Sequence, residues 1–257
     1  MQKQAPSPVY RFVRWLVKRI YPKTEVIGIE NIPDEPAIFV GNHAKMNGPI
    51  MCELYFPVER YTWCAGQMMD RKEVPEYAFE DFWSHKPKYS RWFYRLLSHL
   101  IAPLAECIFT NANTIGVYRD GRIISTFKKT VKCLMDGAGV VIFPEHNEPY
   151  NHILCDFQDK FIDVAKLYYK KSGKEVPFVP IYLAPALHKM YIGKPIYFSS
   201  SNPMDAERQR IKEYLMQEIT QIACSLPEHT VVPYPNIPKK EYPRNIPEEE
   251  HNETACG

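Results

Sequence analysis

Short apolar runs at residues 25–29, 37–41, 115–118, 140–143, 178–183 and 195–198 alternate with stretches whose apolar residues recur at helical spacing. Phe127, Val131 and Leu134 share one face of a stretch over 125–136 that Gly137 ends. Phe157, Phe161, Val164, Ala165 and Tyr168 repeat at the same period and stop at Gly173. After Asn202-Pro203 a long stripe of Ile211, Leu215, Ile219, Ile222 and Leu226 reads as the core face of a helix. Strands alternating with helices predict an α/β fold with helices on the faces of a sheet.

The chain of 257 residues is long enough to bury a full core without disulfides or metal staples. Its 45% apolar and 24% charged content is ordinary, and a net charge of +2 gives no general case for nucleic acid. Seven scattered cysteines with no CxxC pair argue against a zinc site and fit a reducing cytosol. No run of 18 apolar residues is present, so no membrane span is expected. Residues 92–109 come closest, but Arg95, His99, Pro103 and Glu106 make them a kinked, partly buried helix. No signal peptide is expected, because Arg11, Arg14, Lys18 and Arg19 interrupt the first apolar stretch.

Three segments follow from this reading. Residues 1–22 form an amphipathic N-terminal segment whose 8–22 portion mixes Tyr10, Phe12, Trp15 and Ile20 with cations. That mixture suits a helix lying in a membrane interface, or one packed on the domain's own surface. Residues 23–226 hold the α/β domain, with a helix at 49–56 opened by Pro49. Residues 227–257, rich in proline and charge, read as a loosely ordered tail, and Asn252 there sits in a glycosylation-like triplet. The charged, aromatic stretch 70–91 resolves into no period.

Three of the apolar runs end abruptly in polar residues: Gly41-Asn42-His43, Val117-Tyr118-Arg119 and Phe143-Pro144-Glu145. Ligands of open α/β sheets bind at the carboxyl ends of strands, so a histidine, an arginine and a glutamate are expected at one mouth. A lone histidine after a strand is commonly a structural hydrogen-bonding residue. The three together, in this order, are more specific.

In these blocks the chain resembles the glycerolipid acyltransferases, whose members acylate glycerol 3-phosphate or lysophosphatidic acid. The resemblance runs from about Val26 to about Ser199. The family's Asn-His, four residues, Asp block is matched by Asn42-His43-Ala44-Lys45-Met46-Asn47-Gly48; its strand-then-arginine block by Gly116-Val117-Tyr118-Arg119. Its Phe-Pro-Glu-Gly-Thr-Arg block is matched by Phe143-Pro144-Glu145-His146-Asn147-Glu148, and its Val-Pro strand by Phe178-Val179-Pro180-Ile181-Tyr182. The resemblance implies a single domain with a mixed, largely parallel central sheet flanked by helices. It also implies acyl transfer from acyl-CoA or acyl carrier protein to a lipid hydroxyl, in phospholipid synthesis by a cytoplasmic protein peripheral on the inner membrane face. No cofactor or metal is implied, since the thioester is a co-substrate. His43 takes the role of general base and Glu145 organises the mouth. Asn42, Asn47, Arg119, Arg122, Pro144 and His146 are candidate substrate contacts.

Two positions depart from the family pattern. Gly48 stands where the carboxylate that orients the histidine would be, leaving Asn47, Glu53, Asp70 or Glu145 as substitute partners. Glu148 stands where an arginine would help hold the acceptor phosphate, leaving Arg119 with Arg122 or Lys45. Such changes fit three outcomes: an acyltransferase, one with a non-phosphorylated acceptor, or a catalytically weak relative that binds lipid or acyl carrier.

Overall fold

In the computed structural model, which describes residues 5–84, 86–118 and 120–246, Ser7 opens the first helix, α1 (Pro8–Ile20), by accepting the Tyr10 N–H at 3.1 Å. Pro8 follows where a missing N–H costs nothing. One side of α1 is fixed to the body, because Tyr10 is buried and donates its hydroxyl to Glu53. The same carboxylate takes Arg14 at 2.9 Å and Arg60 at 2.7 Å. Val9, Phe12, Trp15 and Ile20 stay exposed on α1.

The chain continues through β1 (Glu25–Ile27) and β2 (Ile38–Gly41) to α2 (Asn47–Tyr55) and β3 (Arg60–Ala65). α3 (Val74–Ala78) runs into a π-helical turn at Phe79–Trp83, and α4 (Arg91–Asn111) carries Pro103 inside it. Next come β4 (Thr114–Val117), α5 (Ile123–Met135), β5 (Gly139–Ile142) and a hairpin of β6 (Glu145–Pro149) with β7 (Cys155–Phe157). The remainder is α6 (Asp163–Ser172), β8 (Pro177–Ala184), β9 (Lys189–Ile192), β10 (Ile196–Tyr197) and α7 (Met204–Ser225).

The main sheet has the order β1-β9-β8-β2-β5-β3-β4, with β10 added against β8. β2 is parallel to both β5 and β8, and β3 to both β5 and β4; β9 and β10 run antiparallel to β8. Every residue of β2, β5 and β8 is buried, which is why these strands read as continuous apolar runs. Their alternate side chains feed two layers. Ile38, Val40, Val140 and Ile142 pack with Val131, Val164, Ile211, Leu215 and Ile219 of α5, α6 and α7. Phe39, Val141, Val179 and Ile181 pack with Met51 and Cys52 of α2. The fold is therefore a single α/β domain with a mixed, mostly parallel sheet flanked by helices. No helix among the described residues is long and apolar enough to cross a membrane.

Several elements differ from the sequence reading. Phe157 lies in β7, and the helix expected from it begins only at Asp163. β3, the β6–β7 hairpin and β9 have no counterpart in that reading. The larger correction concerns the tail, which over 227–246 is pinned to the domain. Asn245, fully buried, donates to the carbonyls of Ala223 and Leu226 at 2.9 and 3.2 Å and accepts the His229 N–H at 2.7 Å. His229 gives its Nδ1 proton to the Pro227 carbonyl and so accepts the Tyr182 hydroxyl on Nε2, both at 2.8 Å. Thr230 pairs with Arg244 in an antiparallel bridge. Residues 247–257, with the Asn252 triplet, lie outside the described residues.

Candidate active site

Val40 of β2 lies opposite Ile142 of β5 in parallel register, so three residues further on His43 meets Glu145. The His43 backbone N–H donates to Glu145 Oε2 at 2.5 Å, and Oε1 accepts the Cys155 N–H at 3.2 Å. Glu145 is almost wholly buried. Burial pushes its carboxyl up to about 7, although the two N–H donors pull the other way. Asn42, one residue earlier, points inward. It accepts the Leu183 N–H at 2.8 Å and donates to the Leu183 carbonyl at 3.0 Å, which ties β2 to β8.

Beyond His43 the backbone turns through two left-handed residues, Ala44 at φ 46° and Lys45 at φ 55°. Non-glycine residues in that region cost on the order of 1 kcal/mol or more each, so the surroundings must hold them. Asn47 does part of this. Its Nδ2 donates to the Ala44 carbonyl at 3.1 Å while its Oδ1 accepts the Tyr21 hydroxyl at 3.0 Å. Lys45 reaches away from the sheet, with Nζ 2.8 Å from the Tyr242 hydroxyl and 4.9 Å from the centre of that ring.

The His43 imidazole meets Phe143 at 63° with centroids 5.2 Å apart, and Tyr234 at 76° and 5.9 Å. Its Nδ1 is buried and has no hydrogen-bond partner among the described residues. Burial lowers the pKa of the ring, opposed more weakly by the Lys45 backbone and by the charge of Asp81. The shift favours the neutral ring, the form that can accept a proton.

None of the four substitute partners reaches Nδ1. Asn47 braces the turn, and Glu53 is engaged by Tyr10, Arg14 and Arg60. Asp70 accepts the Lys72 N–H at 2.9 Å, and Glu145 holds the His43 backbone rather than the ring. Asp81, whose charge does bear on His43, sits in the π-helical turn inside the stretch that had no readable period. Turns of this kind recur at functional sites, but nothing in the sequence pattern marks one. Gly48 leaves no room for a carboxylate, since a Cβ there would fall 2.4 Å from the His43 carbonyl oxygen.

The other expected site residues, where described, are dispersed. Arg119 lies outside the described residues. Arg122 is exposed, pairs with Glu73 and Asp120 at 2.9 Å each, and lies 4.0 Å above the Tyr118 ring. Pro144 is buried and its carbonyl accepts the Gln158 N–H at 3.0 Å. His146 turns to Asp156 at 3.1 Å, and Glu148 is exposed further along β6. His146, Glu148 and Asp156 bring possible ligand atoms within 4.8 Å of one another, but Lys212 Nζ already sits 2.7 Å from Asp156. The third sequence block thus leaves the mouth as a hairpin after Glu145.

No protein-family model matches the sequence, and no curated protein matches it. Among solved structures, the chain is similar to the 1-acyl-sn-glycerophosphate (LPA) acyltransferase PlsC from Thermotoga maritima, with a TM-score of 0.48 and 15% identity. The match covers 85% of this chain and 80% of that one. A likeness at that level bears on neither substrate nor chemistry.

Proposed function

We propose that this chain is an O-acyltransferase that moves a fatty acyl group from acyl-CoA or acyl carrier protein to the hydroxyl of a glycerolipid or lysophospholipid, with His43 as general base. The supporting observation is a half-buried imidazole at the carboxyl end of β2, its Nδ1 shielded from solvent, beside the end of β5, in the Asn42-His43 and Pro144-Glu145 blocks. An alcohol is a weak nucleophile until a base begins to remove its proton. In the proposed step His43 takes that proton as the oxygen attacks the thioester carbonyl. The tetrahedral intermediate then collapses, the carbon–sulfur bond breaks, and the imidazolium returns the proton to the departing thiolate. Glu145 positions the turn that carries the base. Arg119 is assigned the acceptor anion from sequence resemblance alone.

A bilayer surface is the proposed workplace. α1 exposes Phe12, Trp15 and Ile20 beside Arg11, Lys18 and Arg19. α4 exposes Trp92, Leu96, Leu100 and Leu104 at near four-residue spacing. Aromatics and aliphatics flanked by cations suit an anionic headgroup layer. Purified protein mixed with acyl-CoA or acyl carrier protein and a panel of lysophospholipid and non-phosphorylated acceptors should release free thiol with at least one acceptor.

A second reading, a lipid or acyl-carrier binder with little turnover, is favoured by a His43 Nδ1 with no partner among the described residues. Saturable vesicle or carrier binding without thiol release from any acceptor would select it. A non-phosphorylated acceptor is favoured by Glu148, and by Arg122 being engaged with two carboxylates. Preference within the acceptor panel decides that point.

A further inference from the structure

Residues 229–245 form a strap whose ends are fastened and whose middle crosses the His43 turn. The fastening is polar and buried: His229 to Tyr182, Asn245 to the carbonyls after α7, and the Val231 N–H to the Pro243 carbonyl at 2.9 Å. Pro233, Pro235, Pro238 and Pro243 limit the freedom of the chain between, so ordering it costs less entropy than for other residues. The strap touches the turn at two places. Lys45 Nζ donates to the Tyr242 hydroxyl at 2.8 Å and lies near Asn236 Oδ1 and the Ile237 carbonyl, at 3.4 and 3.5 Å. Tyr234 packs its ring against the His43 imidazole.

A general-base histidine needs its ring held in one orientation, and a hydrogen-bonded carboxylate ordinarily does this. Here Nδ1 has no such partner among the described residues, and Gly48 has no space to offer one. Two aromatic neighbours flank the ring, Phe143 from the end of β5 and Tyr234 from the strap, both at steep angles. Edge contacts of this kind are each worth roughly 0.5–1.5 kcal/mol and are directional, so two can fix a ring plane. They supply no charge to stabilise an imidazolium.

We propose that the strap is part of the active site and that Tyr234 is the positioning residue for His43, its ring holding the imidazole against Phe143 where a carboxylate would otherwise orient it. The inference rests on His43 being the reacting group, but its test does not depend on turnover. Among the described residues, and besides Tyr234 itself, the charged or titratable groups bearing on the imidazole are Asp81 from the π-helical turn, Glu145 at the start of β6 and Lys45 on the same turn.

The experiment uses the full chain with carbon-13-labelled histidine, the His43 signal being assigned by its loss in His43→Gln. In Tyr234→Ala the imidazole gains water, so its pKa should rise by about half a unit or more. Carbethoxylation of His43 by diethylpyrocarbonate, read by peptide mass spectrometry, should quicken about threefold or more, since modification follows exposure of the neutral ring. Tyr234→Phe keeps the ring and should bring both values closer to wild type than Tyr234→Ala does. Tyr242→Phe, a milder change that removes only the Lys45 bond, should quicken carbethoxylation to an intermediate degree. A folded Tyr234→Ala with unchanged titration and reactivity overturns the proposal. Should Tyr234→Ala fail to fold, Tyr242→Phe with wild-type reactivity overturns it. Absence of thiol release by the wild-type protein, with these shifts intact, would count against the acyltransferase reading alone.

Discussion

Gly48 donates its backbone N–H to the His43 carbonyl at 3.1 Å, and a Cβ added to it would lie 2.4 Å from that oxygen and 3.1 Å from Leu183 Cδ1. The start of α2 is packed onto the back of the His43 turn, so restoring an aspartate there is not a repair. Gly48→Asp should destabilise the protein by about 2 kcal/mol or more, through backbone overlap and a carboxylate placed against a buried leucine. It should also leave activity no higher than wild type. Chemical denaturation together with thiol release checks both halves. A stable variant with faster turnover would mean that the turn rearranges to accept the dyad.

Glu145 predicts how stability depends on pH. Its carboxyl is raised from 4.5 to about 7 by burial, so the folded state holds this proton more tightly than the unfolded state. The burial therefore becomes more costly as pH rises through that window, by about 3 kcal/mol in all at 1.36 kcal/mol per unit. Glu145→Gln cannot titrate. Between pH 4.5 and 8 its stability relative to wild type should shift by about 3 kcal/mol in its favour, as read from urea unfolding. Parallel profiles would show that Glu145 ionises as freely as in water.

Asn42 bridges β2 and β8 with both ends of its amide. Asn42→Ala leaves the Leu183 N–H and carbonyl without that partner in the core and should cost about 3 kcal/mol. Asn42→Asp should not rescue it, because a carboxylate accepts the N–H but faces the carbonyl with like charge. Equilibrium unfolding of the two variants measures this, and a loss near zero would place the amide in solvent or on a ligand.

The exposed aromatics of α1 should carry membrane attachment. Phe12→Ala with Trp15→Ala should weaken partition onto anionic vesicles by about tenfold or more, given the apolar area removed. Raising the salt should weaken it further, because Arg11, Lys18 and Arg19 act through charge. Vesicle flotation measures both effects, and unchanged partition in the double variant would remove α1 from the interface.

The core strands were legible in the sequence because β2, β5 and β8 are buried on both faces and their residues are apolar throughout. Strand β3 was not, because it begins with Arg60, an ion buried only by virtue of Glu53 and the Cys52 carbonyl. The hairpin after Glu145 was hidden because Glu-His-Asn-Glu-Pro has no strand pattern. At the site, His43 and Glu145 were readable as strand-end residues whose register then places them together. Tyr234 and Asp81 were not, since one packs on His43 and the other acts on it through charge, each from a distant segment with no local signature. The strap shows the same limit: its prolines read as coil, while one asparagine, Asn245, fastens it across 22 residues to Ala223.

The most direct measurement is thiol release from acyl-CoA or acyl carrier protein near pH 7 by wild-type protein and by His43→Ala, with an acceptor on which the wild type turns over. The imidazole is the proposed base, so His43→Ala should lose at least about a hundredfold in turnover while remaining folded. A folded His43→Ala that releases thiol at the wild-type rate would contradict the assignment of His43 and, with it, the proposed chemistry of the site.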